Sequence, residues 1–274
     1  QGPRESDLPS DTVTALLADE DGVWIGTPNG LVYTEDSGRT FQHYTAFSSG
    51  LPSNWIVGLY KSSDGSYWVG TRQGLAQGAR TQFDSFNTTN ARLSHNHINA
   101  IHQDQAGNLW VGTQDGLNRL APGATQFDWF NTVNTPNLGS DQVMSLTSQN
   151  DLLWVGTFDK GLHRLDTSSG EMLQVALDPD NPFALQAPGV TSLLAHSSGN
   201  IVATTFGGGT AVVDSSGRVA RVIRSALDEY VNDFPITMAE DASGSILVGM
   251  AQSLGVINPS LDDIRAISLN GEPL

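Results

Sequence analysis

Short apolar stretches alternate with polar, glycine-bearing turns along the whole chain. The segment His97-Ile98-Asn99-Ala100-Ile101-His102 alternates apolar with polar or small residues, the period of a half-buried strand. Ala106-Gly107-Asn108 reads as a tight hairpin turn. Leu109-Trp110-Val111-Gly112-Thr113 is β-branched and aromatic and predicts a second strand. After the turn Gln114-Asp115-Gly116, Leu117-Asn118-Arg119-Leu120 predicts a third strand and Phe127-Asp128-Trp129-Phe130 a fourth. The same frame fits the rest of the chain. Its first turns fall at Asp21-Gly22, Asp64-Gly65, Asn150-Asp151, Ser198-Gly199 and Ser243-Gly244, and its third strands begin at Leu31, Leu75, Leu162, Thr210 and Leu254. The last fourth strand is expected over Asp262–Ile267.

The second strand is the signature. It reads VWIGT at Trp24, YWVGT at Trp68, and LWVGT at Trp110 and Trp154, with Val202 and Leu247 in the tryptophan slot of two degenerate copies. The intervals are 44, 42, 44, 48 and 45 residues. A fixed period in this range, built from short strands, predicts an all-β chain, a β-propeller of six four-stranded blades, with seven blades as the alternative. Residues 8–274 are expected to form a single propeller domain, preceded by an N-terminal extension or cloning remnant over 1–7. The repeated tryptophan is expected as the filler between blades. The glycines at 26, 70, 112 and 156, inside strands, mark crowding by a neighbour. Trp55 and Trp129 lie outside that slot.

Charge and composition narrow the function. The 274 residues carry a formal charge of −16, with Lys61 and Lys160 the only lysines. Such a surface repels a phosphate backbone and an anionic membrane, so nucleic acid is not an expected partner. The absence of cysteine removes disulfides and thiolate metal sites. No apolar run reaches the ~18 residues of a membrane span, so no direct membrane insertion is expected.

The unit L-[PS]-S-x-x-[IV] leading to W-V-G-T-x-x-G-L resembles the two-component regulator propeller repeat. It stands here as Leu51-Pro52-Ser53-Asn54-Trp55-Ile56 before Trp68-Val69-Gly70-Thr71-Arg72-Gln73-Gly74-Leu75, and as Leu93-Ser94-His95-Asn96-His97-Ile98 before Trp110. The match is strong over about 8–165 and weaker, though in register, over 185–268. The resemblance implies an extracytoplasmic sensor domain of bacterial envelope receptors, periplasmic or extracellular, whose cytoplasmic parts are histidine kinases or diguanylate cyclases. It also implies carbohydrate fragments among the ligands and a homodimer in the receptor context. The family commonly has seven-bladed rings, often in tandem, and this chain departs from that pattern.

In a propeller the loop leading into each blade and the loop between its second and third strands crowd one face. The ligand-binding residues expected there are Trp55, Arg72, His95, His97, Asp115, Asp141, Phe158, Lys160 and Phe206. Aromatics, amides, carboxylates and two cations suit a polar, uncharged or weakly acidic small molecule or oligosaccharide. His95-x-His97 could pair on a metal, but no third ligand is fixed by the sequence, so neither metal nor cofactor is expected. Asp115 and Asp141 could do glycosidase work only at a defined separation. No nucleophile elbow or triad is visible, so no catalytic residue is assigned and the chain reads as a non-enzyme. A protein-interaction scaffold is the alternative, and a carbohydrate-active lyase or hydrolase a more distant one.

Overall fold

The computed structural model describes residues 8–35, 38–224, 235–250 and 253–267. It contains six four-stranded antiparallel sheets, and in each of them the strands lie side by side in chain order. These are the blades of a six-bladed β-propeller, over residues 15–44, 56–86, 98–130, 143–174, 190–223 and 235–267. The chain divides into two compact units, Gln1–Phe130 with blades 1 to 3 and Asn131–Leu274 with blades 4 to 6.

Blade 3 shows how local sequence sets the frame. Its strands are Ile98–Gln103, Leu109–Thr113, Gly116–Leu120 and Asp128–Phe130. The first strand starts one residue later than the alternation predicts, because the His97 backbone N–H donates to His95 Nδ1 at 2.9 Å and stays in the turn. The last strand of blade 6 starts at Ile264 rather than Asp262 for a related reason: the N–H groups of Asp262 and Asp263 both donate to Asn258 Oδ1. Two short helical turns, Ala46–Ser49 and Pro136–Leu138, lie between blades where the sequence reads only as polar loop. The first is held by a capping box between Thr45 and Ser48.

The tryptophan slot is the same in every blade. Trp24, Trp68, Trp110 and Trp154 pair with Leu17, Tyr60, His102 and Thr147 on the first strand, and Val202 and Leu247 with Leu194 and Ala239. All four tryptophans are at most 4% exposed. Within the first unit, Trp24 packs in one cluster with Ile56, Tyr67, Val69, Ala76 and Phe83 of blade 2. Trp68 packs likewise with Ile98, Leu109 and Val111 of blade 3. In the second unit Trp154 meets Val190, Ile201 and Ala203 of blade 5, and Val202 in turn meets Ile246, Val248 and Ile257 of blade 6. The β-branched Val202 thus fills the slot in blade 5, whereas Leu247 in blade 6 stays 39% exposed.

The strand glycines belong to the same joint. A Cβ on Gly26 would lie 2.6 Å from Ile56 Cγ2, on Gly70 2.9 Å from Ile98 Cγ2, and on Gly156 2.6 Å from Val190 Cγ1. Each offender is the first residue of the next blade's leading strand. The invariant spacing from tryptophan to glycine therefore lets one blade seat its leading Ile or Val against the sheet before it.

Polar fasteners reinforce these joints at the first-turn end. The last residue of a blade's first strand reaches back to the preceding blade. Lys61 pairs with the buried Asp19 carboxylate, which also accepts from the Tyr67 hydroxyl. Gln103 accepts from the Ser63 N–H at 2.9 Å, and Glu240 from the Ser197 N–H at 3.1 Å. Hydrogen bonds from Lys61 and Tyr67 hold the Asp19 carboxyl far below the usual carboxylate range, against the opposing effect of burial.

Candidate functional site

The leading loop and the turn between second and third strands meet because the start of the first strand pairs with the end of the second: Ile56 with Thr71, Ile98 with Thr113, Val143 with Thr157 and Val190 with Thr205. The threonine closing the W-V-G-T signature fixes the turn. In the first three blades Thr27, Thr71 and Thr113 donate to the carbonyls of Gly30, Gly74 and Gly116 at 2.8–3.0 Å. Each also accepts from the backbone N–H two residues on, at Asn29, Gln73 and Asp115. In blade 4, Thr157 does the same with Gly161 and Lys160. Arg72, Asp115 and Lys160 thus project from turns clamped by a fully buried hydroxyl.

In the first unit the structure brings Trp55, Arg72 and the two histidines together. Arg72 lies over the Trp55 ring, its guanidinium carbon 3.6 Å from the ring centroid, and its backbone N–H donates to the Trp55 carbonyl at 3.3 Å. Trp55 remains 38% exposed. His97 is half-buried, and its pKa is lowered by that burial, then by the nearby positive charge of Arg72 and by His95. His95 accepts the His97 N–H on Nδ1. Among the described residues no carboxylate forms an ion pair with Arg72 or Lys160, although most other arginines have one. Asp115 sits exposed at the tip of its turn.

In the second unit Phe158 and Phe206, from the second turns of blades 4 and 5, meet edge to face at 6.3 Å while 48% and 41% exposed. Gly189 makes their seat: a Cβ there would lie 2.7 Å from Phe206 Cδ2 and 3.0 Å from the Phe158 carbonyl oxygen. The stem of Lys160 lies against Gly139.

Asp141 has a different occupation. Both its oxygens are taken by Thr132, from the N–H at 2.7 Å and the hydroxyl at 3.0 Å. Asn54 and Asn96 hold the same place, accepting from the N–H groups of Ala46 and Thr88 at 2.7 and 2.9 Å. This leading-loop position ties down the turn that follows the preceding blade. The threonine clasp and this Asn/Asp tie are the site-shaping residues that sequence reasoning missed. Their signal was the offset of Thr three or four residues before a turn glycine and of Asn/Asp after the leading Leu-x-x. Among the described residues no group of three or more His, Asp or Glu could hold a metal ion.

Residues 7–29, 50–73 and 92–115 match the two component regulator propeller, one match in each of the first three blades. No curated protein matches the chain in sequence. The extracellular domain of the hybrid two-component system BT3049 from B. thetaiotaomicron superposes with a TM-score of 0.76 at 17% identity, over 93% of this chain and 34% of that one. The extracellular domain of the one-component system BT4673 from the same organism does so at 0.62 and 18%, over 94% and 43%. The chain therefore spans between a third and a half of these domains. Virginiamycin B lyase from Staphylococcus aureus shares the fold at a TM-score of 0.73 and 16% identity, over 95% of this chain and 85% of the lyase. No helix among the described residues is long and apolar enough to cross a membrane.

Proposed function

We propose that this chain is a ligand-sensing propeller of a bacterial envelope signalling receptor, acting outside the cytoplasm as a binding domain rather than an enzyme. The observation that carries this reading is the Trp55–Arg72 stack. An arginine held over a half-exposed indole, without a carboxylate partner among the described residues of a chain of net charge −16, keeps its N–H edge free for a ligand. The half-buried His97 adds a neutral ring beside it. Together they suit a polar, uncharged or weakly acidic oligosaccharide, with one ring against Trp55 and an acceptor group on the guanidinium edge. The repeat family and the likeness to extracellular sensor domains support the receptor setting. The exposed Phe158–Phe206 pair is a second aromatic surface for such a ligand. Signalling then follows from population shift, the bound form of the domain favouring one arrangement of the receptor, for which a homodimer is the simplest setting.

The test is isothermal calorimetry against a panel of neutral and uronic-acid oligosaccharides. At least one saturable isotherm is expected. Trp55→Ala and Arg72→Ala should each weaken it by about ten- to a hundredfold, in line with the ~1–3 kcal/mol of a stacked or charge-assisted contact. Heat that is unchanged in both variants would remove this corner as the site. Release of products on long incubation with the same panel would favour a lyase or hydrolase instead.

A further inference from the structure

At the opposite, first-turn end of the first unit, blades 2 and 3 enclose a groove of about 390 Å³. Ser62, Ser63 and Asp64 of the blade 2 turn line one side, with Trp68 and Gln77. Leu109, Leu120 and Pro122 of blade 3 line the other. The volume is far beyond a single bridging water, whose share of the liquid is about 30 Å³, and falls at the low end of the roughly 300–1,000 Å³ of ligand pockets.

Comparison of equivalent positions shows what the groove lacks. In blade 3 the Trp110 indole N–H is satisfied by Asp104 Oδ2 at 2.7 Å. Asp104 is the residue just after the first strand, where its N–H closes the turn on the Asn108 carbonyl. In blade 2 that position is Ser62, whose N–H closes the same turn on the Ser66 carbonyl. Its side chain is one atom too short and carries no charge. Among the described residues none offers an acceptor to the Trp68 N–H or a partner to the Ser62 hydroxyl, yet both residues are more than nine-tenths buried and both line the groove. The indole N–H groups of Trp24 and Trp154 are unpartnered and sealed in the packing, whereas that of Trp68 is not sealed. Of the four signature tryptophans, Trp68 alone lines this cavity.

The Trp68 N–H and the Ser62 hydroxyl are not sealed like the Trp24 and Trp154 indoles but reach the groove, so a molecule seated there can take up both bonds in place of water. We propose that the groove is a second ligand site, for a neutral, hydroxyl-rich molecule the size of one or two sugar rings. Its hydroxyls would meet the Trp68 N–H, the Ser62 hydroxyl and Asp64, and its apolar face would lie on Leu120 and Pro122. The groove contains one carboxylate and no cation, which disfavours an anionic ligand. This site is separate from the Trp55–Arg72 corner, and neither depends on the other.

Glucose, galactose and xylose, with methylammonium and acetate as controls, are titrated while the six indole N–H resonances are followed by NMR. One neutral sugar should shift the Trp68 resonance, identified by its loss in Trp68→Phe, in a saturable way. Ser62→Asp restores the carboxylate found in blade 3. It should shift that same resonance without ligand and weaken sugar binding at least tenfold. Ala124→Trp, which fills the groove from its outer lip, should weaken binding equally while leaving the free Trp68 resonance in place. Trp55→Ala should leave sugar binding unchanged. A Trp68 resonance that no sugar moves, a response to methylammonium or acetate alone, or full binding by Ser62→Asp would each overturn the proposal.

Discussion

At the scale of single residues, the joint between blades rests on a few side chains whose identities follow from geometry. The signature tryptophan is buried against the next sheet, and the glycine two residues later makes room for that sheet's leading Ile or Val. Trp154→Ala should cost about 3–5 kcal/mol, measured by urea unfolding, because it empties a large volume among Val190, Ile201 and Ala203. Asp19→Asn removes the acceptor shared by Lys61 and Tyr67 and should cost about 2 kcal/mol, less than a fully buried pair because Lys61 is one-third exposed. Asp19 is ionised in the native state well below its ordinary pKa, so its contribution is present at neutral pH and lost progressively as pH falls from the ordinary carboxylate range toward the far lower pKa of the folded state. A wild-type and an Asp19→Asn protein should therefore converge in stability in strong acid. The tryptophan wedge and its glycine were legible in the sequence because a fixed period exposes them. The Asp19 fastener was not, since the Lys61 and Tyr67 that explain it belong to the neighbouring repeat.

At the scale of elements, regular strands were easier to read than the loops that carry function. Alternation and β-branched runs place the second and third strands of each blade to within a residue or so, because their register is fixed by burial on both faces. The leading loops read only as polar. Their order comes from side-chain-to-backbone bonds, of which Asn54, Asn96 and Asp141 are the repeating instance. Asp141 looked like a ligand-facing carboxylate for that reason, and its geometry gives it a structural tie. The buried threonine clasp links element to function. Thr71→Val keeps shape but loses the bond to the Gly74 carbonyl and leaves the Gln73 N–H without its acceptor. It should lower stability by about 1–2 kcal/mol. It should also weaken oligosaccharide binding, because Arg72 sits at the tip of the loosened turn. Equal affinity for Thr71→Val and wild type by calorimetry would show that the turn is not what presents Arg72.

At the scale of the whole molecule, the buried histidines and the acidic surface set the response to pH. Burial lowers His102 and His163 from an ordinary 6.5 to about 4. The unfolded chain takes up protons at these residues near pH 6.5 while the folded chain does not until near pH 4, so the histidine contribution to stability falls as pH drops through that window and levels below it. Thermal unfolding between pH 7 and 4 should show this slope, and His163→Leu should flatten part of it.

The number of blades and their strand order were legible from the 42–48 residue period, and the W-V-G-T motif carried the resemblance that matches the two component regulator propeller over residues 7–29, 50–73 and 92–115. The ligand surface was legible only as a set of loops. Whether their side chains converge depends on stacking such as Trp55 on Arg72, which sequence spacing does not encode. Recognition is proposed to take place at that corner. Hydrogen-exchange mass spectrometry with and without the oligosaccharide that binds in the calorimetric panel tests it most directly. Slowed exchange over residues 53–56, 70–74 and 93–98 is the predicted result. Bound ligand with exchange unchanged in all three segments would contradict it.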